Sequence, residues 1–185
     1  MSSKLYVITG GPGVGKTTLI KALEEDGYNI VPEAARVIIQ QEKAINGDGL
    51  PWKNKERYTD LILEASFRDY LRIINDHRDG ICFFDRSIYD AICYAGMIGY
   101  TLSEQIMKKV PDCAYNRRVF ILPPWPEIYE TDNERKQTWE EAEYTFTQMK
   151  MTYLQYGYEV IDIPKDTVSS RKEFVLKHIV TNQSP

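Results

Sequence analysis

Short apolar runs alternate along this chain with amphipathic stretches, and the alternation predicts strands that alternate with helices. Runs rich in Val, Ile and Phe predict five strands, at residues 5–9, 28–31, 81–84, 118–122 and 158–163. Apolar residues at helical spacing predict helices at about 16–25, 33–45, 55–77, 87–97, 103–110, 138–156 and 168–179. Strands separated by helices pair in parallel, with helices on both faces of the sheet. We therefore expect one α/β domain over residues 1–185, with three layers and a mostly parallel five-stranded sheet.

Individual residues mark several helix ends. Gly27 and Gly157 stand where a helix C-terminal glycine is expected, and Pro32 suits the first turn of a helix. The sequences Ser87-x-x-Asp90 and Thr138-x-x-Glu141 have the pattern of capping boxes, in which the first and fourth residues satisfy each other's backbone N–H groups.

Net charge, cysteine spacing and the length of the apolar stretches disfavour several classes of protein for this chain. The net charge of −4 argues against general binding to a nucleic-acid backbone, which requires a basic face. Cys82, Cys93 and Cys113 lack C-x-x-C spacing and are interpreted as reduced core residues of a cytoplasmic protein. No apolar stretch approaches the roughly 20 residues of a membrane span, and because the N-terminus leads directly into a predicted strand we expect no signal peptide. The oligomeric state is not predicted.

The segment from Gly10 to Thr17 reads GGPGVGKT and matches G-x-x-x-x-G-K-[ST] at every fixed position, with a strand before it and a helix after it. Glycines let the backbone N–H groups turn inward and form an anion nest at a helix N-terminus. Lys16 is expected to reach the β- and γ-phosphates of ATP, and the Thr17 hydroxyl to bind Mg²⁺. The alternative is a glycine-rich turn that only joins strand to helix. The predicted nucleotide-binding residues are Gly10, Gly11, Pro12, Gly13, Val14, Gly15, Lys16, Thr17 and Thr18.

Asp85 follows the apolar run at 81–84 directly. A carboxylate at the end of a strand next to a P-loop holds Mg²⁺, directly or through water. We therefore predict Thr17 and Asp85 as metal ligands, with Lys16 and Asp85 in catalytic roles. The alternative is a solvated acid, or one that caps the next helix.

Two further segments resemble a known family. Asp85-Arg86-Ser87 follows the third strand, and Val31-Pro32-Glu33-Ala34-Ala35-Arg36 follows the second. With the P-loop, they resemble the small P-loop kinase-like family named AAA domain, which is similar to the nicotinamide riboside kinase domain of NadR-type proteins. More distantly they resemble deoxynucleoside and thymidylate kinases. The resemblance extends from Lys4 to about Ile179 and implies a P-loop NTPase fold.

The resemblance also implies roles for residues outside the P-loop. Glu33 would orient or deprotonate the phosphoryl acceptor, Arg36 would hold substrate or phosphate, and Arg86 would steady the phosphates. From the residues alone, Glu33 could instead offset the dipole in the first turn of a helix, and Arg36 could be a surface arginine. Asp90 has two readings, a substrate ligand by resemblance and a helix cap by pattern, and the cap is favoured.

Residues 125–137 lie where such kinases carry a lid. Arg135 is predicted to neutralise charge on the transferred phosphoryl group, ahead of Lys136, because a guanidinium pairs bidentately with phosphate. The alternative is a solvated loop. The turn Ile163-Pro164-Lys165 lies where kinases of this architecture stack adenine.

These features predict a kinase that uses Mg²⁺ and ATP, with GTP as the alternative, and a small nucleoside-like or other hydroxyl- or phosphate-bearing acceptor. Two alternatives stay open: a nucleotide hydrolase, and a nonenzymatic nucleotide-dependent module that binds a protein or lipid. The segment Asn54-Lys55-Glu56-Arg57 lacks the Asp of the guanine-specific N-K-x-D element and lies outside any strand, which disfavours a Ras-like switch.

Overall fold

The computed structural model describes residues 4–76, 80–128 and 138–180. Within these ranges the strands are β1 (Leu5–Gly10), β2 (Asn29–Val31), β3 (Cys82–Asp85), β4 (Arg118–Leu122) and β5 (Glu159–Asp162). The α-helices are α1 (Lys16–Glu25), α2 (Ala34–Ala44), α3 (Lys55–Asn75), α4 (Ile88–Met97), α5 (Glu104–Lys109), α6 (Trp139–Gln155) and α7 (Val168–Val180). Short 3₁₀ turns cover Val110–Asp112 and Pro126–Ile128.

The five strands form one sheet in the order β2-β3-β1-β4-β5. Strand β1 is parallel to β3 on one side and to β4 on the other, and β4 is parallel to β5. Ile8 pairs with Asp85, and Gly10 pairs with Leu122, so the carboxyl ends of the three central strands lie at one edge. The predicted α/β P-loop fold with a mostly parallel five-stranded sheet is confirmed.

The chain divides into two compact units. The first unit comprises Met1–Ile30, Gly80–Asp85 and Tyr115–Pro185, and it contains the P-loop. One face of its sheet presents buried aromatic and aliphatic side chains, and helices α1 and α7 contribute the apolar residues that pack on that face. Side chains alternate between the two faces of a strand, so every second residue of β1 enters this cluster. Its members include Tyr6, Ile8, Leu19, Leu23, Phe83, Phe120, Val175 and Ile179.

The second unit comprises Val31–Asp79 and Arg86–Ala114. Its longest helix, α3, packs against α2 and α4, around a core that includes Ile38, Tyr58 and Ala65. The Asn54 side chain accepts a hydrogen bond from the Arg57 backbone N–H and so caps the N-terminus of α3. The sequence-based expectation of a single domain stays a prediction.

Both capping boxes are confirmed. Ser87 and Asp90 exchange hydrogen bonds at the start of α4, and Thr138 and Glu141 do so at the start of α6. One boundary differs from the prediction. Helix α2 begins at Ala34, so Pro32 lies outside the helix rather than in its first turn.

Cys82, Cys93 and Cys113 are all buried and form no disulfide within the described residues, as expected of reduced core residues. Cys113 lies at the end of the second unit, where burial and the nearby Asp112 carboxylate raise the pKa of its thiol to about 11. Among the described helices, none combines the length and the apolar character that crossing a bilayer requires.

Candidate functional site

The loop between β1 and α1 has positive φ at three glycines, Gly10, Gly13 and Gly15, a conformation that favours glycine. Gly15 is the N-cap of α1 and has φ of 79°, in the left-handed region. Gly10 has φ of 147°, and a Cβ there would lie 2.9 Å from the carbonyl oxygen of Leu122. Strand β4 and helix α1 therefore fix both ends of the loop. Backbone N–H groups at the start of α1 have no helical partner, which makes this helix end a place for an anion.

One side chain of the loop is buried in the core, whereas two side chains at the start of α1 are exposed. Val14 is buried and belongs to the same cluster as Ile8 and Leu19, so its side chain anchors the loop to the core. A nucleotide could contact only the backbone of Val14. Thr17 and Thr18, in the first turn of α1, are exposed to solvent.

Lys16 and Asp85 form an ion pair at the carboxyl end of the sheet. The Lys16 ammonium donates a hydrogen bond to Asp85 Oδ1, and both side chains are largely buried, with 7% and 12% exposure. The pairing follows from the topology, because β1 and β3 are adjacent parallel strands and Asp85 is in register with Ile8. The structure therefore brings together the cation and the carboxylate that the sequence predicts for phosphate and metal.

The donors available for a metal are hard oxygens: the Thr17 hydroxyl and the Asp85 carboxylate. Mg²⁺ binds through one or two protein oxygens together with phosphates and water, rather than in an all-protein cage. Among the described residues no group of three or more His, Cys, Asp and Glu side chains could hold a metal. The residues present fit Mg²⁺ bound together with a nucleotide.

Glu33 and Arg86 form the centre of a second polar cluster, in the second unit. Arg86 Nε donates to Glu33 Oε1 at 2.6 Å, and Arg86 Nη1 lies 3.5 Å from Asp90 Oδ1. Asp90 also accepts from the Ser87 backbone N–H at 2.8 Å. Glu33 is the N-cap of α2 but makes no side-chain capping bond, so its carboxylate is directed to Arg86 instead.

The backbone of Arg86 is itself unusual. Its φ of 72° lies in the left-handed region, which costs a residue with a Cβ of the order of 1–3 kcal/mol. Such strain persists only where surrounding contacts fix the residue. Here the contacts with Glu33 and Asp90 fix it.

A buried tyrosine, Tyr58, and a partly buried one, Tyr94, lie beside this cluster. The rings of Tyr58 and Tyr94 meet edge to face, with centroids 5.8 Å apart. Burial raises the pKa of Tyr58, the Glu33 carboxylate and Tyr94 raise it further, and Arg86 acts in the opposite direction. Tyr58 is therefore a neutral phenol near the Glu33 charge. The sequence analysis did not single out Tyr58, because a tyrosine on an amphipathic helix has the pattern of a core residue.

Other predicted residues have separate environments. Arg36 is exposed on α2. Arg135, and residues 129–137 of the predicted lid, lie outside the described residues. In the predicted adenine turn, Ile163 is buried in the core of the first unit, whereas Pro164 and Lys165 are exposed.

Sequence reasoning also missed Arg171 on α7. This arginine is only 5% exposed, and its guanidinium lies beside Gly15. Arg171 precedes Val175 and Ile179 by four and eight residues, so it belongs to the buried stripe of the helix. That spacing is the signal that could have identified it.

The sequence matches the AAA domain over residues 5–171, which is most of the chain. The chain belongs to the AAA domain family. The predicted resemblance is thereby confirmed at the level of a P-loop kinase-like family. No curated protein matches the sequence.

Solved structures share the fold of this AAA domain. A NadR protein in complex with NR superposes with a TM-score of 0.72 at 19% identity, over 97% of this chain and 51% of the NadR chain. A thymidylate kinase from Candida albicans superposes with a TM-score of 0.64 at 15% identity, over 98% and 93% of the two chains. A deoxyadenosine kinase from M. mycoides with bound dATP gives 0.57 at 12% identity, over 95% and 98%. This AAA domain spans about half the length of the NadR structures it matches.

Proposed function

We propose that this AAA domain is a kinase that transfers the γ-phosphoryl group of Mg-ATP to a small nucleoside-like or other hydroxyl- or phosphate-bearing acceptor. The observation that carries the proposal is the ion pair between Lys16 and Asp85 at the end of the P-loop. A phosphate-binding cation and a metal-binding carboxylate are the two charges that phosphoryl transfer requires next to such a loop. Similarity in fold to nucleoside and nucleotide kinases supports the proposal.

The first unit holds the nucleotide in this proposal. Backbone N–H groups of residues 10–18 surround the β- and γ-phosphates, and Lys16 donates to their oxygens. Thr17 and Asp85 hold Mg²⁺, which neutralises charge on the phosphate oxygens. Little covalent chemistry remains for the protein, so its contribution is positioning and electrostatic stabilisation.

The second unit holds the acceptor. Arg86 lies 2.6 Å from Glu33, and this positive charge favours the ionised carboxylate. An ionised Glu33 orients the acceptor hydroxyl and takes its proton as the new P–O bond forms. Arg36 and Arg86 stabilise phosphate or substrate charge, and Arg135 does so from the proposed lid.

The protein acts in the cytoplasm, where buried cysteine thiols stay reduced.

Label transfer tests the proposed function. Purified protein is incubated with Mg²⁺, ATP or GTP labelled in the γ-phosphate, and pooled nucleosides, vitamins and sugars. We expect label in a new compound that depends on an added acceptor. Release of labelled phosphate alone indicates a hydrolase, and binding without either product indicates a nonenzymatic module; each of these results contradicts the kinase.

Three variants connect turnover to the metal site. Asp85→Asn is expected to abolish Mg²⁺-dependent transfer, because the amide removes the charged ligand. Thr17→Val should lower transfer, whereas Thr17→Ser, which keeps the hydroxyl, should retain most of it. Unchanged transfer in Asp85→Asn removes this residue from the site.

A further inference from the structure

Arg171 is a buried arginine in which two of the three guanidinium nitrogens have no acceptor among the described residues. Its side chain is 5% exposed, and neither Nε nor Nη1 has a hydrogen-bond partner among the residues that the structure describes. Buried polar groups are almost always paired, because leaving one unpaired is costly, and more so for a charged group. Arg171 therefore needs an explanation that the packing of the first unit does not supply.

The position of the guanidinium explains why its donors have no acceptor in the protein. A Cβ built on Gly15 would lie 2.7 Å from Arg171 Nη1 and 3.4 Å from Nη2, so the guanidinium lies against the loop at the N-terminus of α1. Arg171 Cζ also lies over the Trp125 ring, 5.5 Å from its centroid. The structure therefore places a cation beside the loop that is shaped to hold an anion.

The charges around Arg171 do not neutralise it. Burial lowers the pKa of the guanidinium, and the Asp166 carboxylate acts in the opposite direction without forming an ion pair with Arg171 in the described chain. An arginine keeps its proton in proteins, so the buried group stays a cation with donors only. A ligand with anionic acceptor oxygens matches both the charge and the donors of this group.

We propose that Arg171 is a phosphate-binding residue of the P-loop site, whose guanidinium donates to oxygens of the bound triphosphate. Trp125 stacks on the guanidinium and holds its plane against the loop. Engagement requires a change of side-chain rotamer at Arg171, which is common on ligand binding. This inference rests on the proposed function, because it assumes that the loop binds a nucleoside triphosphate.

Calorimetry on the full chain tests the proposal with two probes, Mg-ATP and Mg²⁺ with inorganic tripolyphosphate. Tripolyphosphate has no base or sugar, so it isolates the phosphate contacts. Arg171→Met keeps the volume of the side chain and removes its charge and donors. We expect the Kd of both probes to rise about tenfold to a hundredfold, as loss of hydrogen bonds to a charged group implies. Arg171→Lys should recover part of the loss through its charge alone.

Lys172→Met is the matched control. It removes one positive charge from the same helix, but Lys172 pairs with Asp26 at 2.7 Å and lies outside the proposed site. Its Kd for both probes should equal that of the wild type. An equal loss in Lys172→Met shows a general charge effect and overturns the proposal.

A stability measurement separates a binding role from a structural one. Replacing an unpaired buried cation with an apolar side chain of similar size relieves a cost, so Arg171→Met should have a raised Tm without ligand. Its Tm should then increase less than that of the wild type when Mg-ATP is added. If Arg171→Met does not fold, the two Kd values for Arg171→Lys decide the question.

Besides an equal loss in Lys172→Met, two outcomes overturn the assignment of Arg171 to the phosphates and leave the proposed kinase function standing. The first is an unchanged Kd for both probes in Arg171→Met, or in Arg171→Lys where the Met variant does not fold. The second is weakened binding of Mg-ATP with unchanged binding of tripolyphosphate, which would place Arg171 on the base or sugar. If the wild type binds neither probe, the proposed function fails, and this inference fails with it.

Discussion

Lys16 and Asp85 form a buried ion pair although 69 residues separate them in the chain. The pair exists because the strands that precede them, β1 and β3, are neighbours in a parallel sheet. Both strands end at the edge where open α/β sheets bind their ligands.

The first prediction concerns the contribution of this pair to stability. Lys16→Met removes the ammonium that Asp85 contacts, and loss of one member of a buried pair costs about 3 kcal/mol of unfolding free energy. The double variant Lys16→Met/Asp85→Leu should lose less than the sum of the two single variants, because no isolated charge remains. Urea denaturation measures all four proteins.

An exposed pair in the same unit provides the control. Lys150 contacts Asp162 at 2.7 Å, but both side chains are more than a third exposed. Lys150→Met should cost less than about 1 kcal/mol. Equal losses in Lys16→Met and Lys150→Met would show that burial does not strengthen the Lys16–Asp85 pair.

Strand order explains how far the sequence predicts this site. The P-loop match located Lys16, and the apolar run before Asp85 identified a buried strand that ends in an acid. Alternation of strands and helices then made the sheet parallel, so the carboxyl ends of the strands had to share an edge. The capping boxes were equally predictable, because they depend on residues only three positions apart.

The sequence pattern predicts contacts that depend on side-chain direction less well. The pattern did not indicate that Glu33 would face Arg86, because this contact involves a left-handed backbone at Arg86, which no local preference of arginine favours. Glu33 was expected in the first turn of a helix and is the N-cap instead. Arg171 was missed because a charged residue at the start of a helix has the pattern of a solvated position, although its spacing from Val175 placed it on the buried face.

The second prediction concerns Glu33 as the group that activates the acceptor. Glu33→Gln keeps the size of the side chain but cannot accept a proton. We expect kcat to fall about 100-fold or more, whereas the Kd of Mg-ATP stays within a factor of about two. Label transfer and calorimetry measure the two quantities.

Glu64→Gln is the control for this prediction, because Glu64 is exposed on α3 of the same unit. It removes the same charge and should leave kcat unchanged. If Glu33→Gln transfers phosphate as fast as Glu64→Gln, Glu33 neither orients nor deprotonates the acceptor.

The third prediction concerns backbone strain at Arg86. Arg86→Ala and Arg86→Gly both remove the contacts with Glu33 and Asp90, but only glycine accepts φ of 72° without steric cost. Arg86→Gly should therefore be more stable than Arg86→Ala by about 1 kcal/mol in urea denaturation. The reverse order would show that Arg86 leaves the left-handed region once its side chain is removed.

The fourth prediction follows from the Cys113 thiol. Burial first, and then Asp112, raise its pKa from 9.0 to about 11, so the folded state holds this proton more tightly than the unfolded state does. The stabilisation is complete below about pH 9 and is lost as the pH rises through 11, with a total of the order of 2–3 kcal/mol. Cys113→Ala should lose less stability than the wild type between pH 8 and pH 11.

Urea denaturation at these two pH values measures the difference. Tyr70 is replaced by Phe in both proteins, because the Cys113 charge is one of the causes that raise the pKa of Tyr70. Titrating groups that Cys113 does not influence are present in both proteins, so their effects cancel in the comparison. Identical losses in the two proteins would show that the thiol has the same pKa in the folded and unfolded states.

Titration calorimetry with Mg-ATP tests the nucleotide site most directly. The wild type should bind one equivalent with measurable heat, and Lys16→Ala should reduce affinity at least tenfold, because it removes the cation that contacts the phosphates. GTP in place of ATP tests the choice of base in the same experiment. A correctly folded wild type that binds neither triphosphate in the presence of Mg²⁺ contradicts the assignment of the loop between β1 and α1.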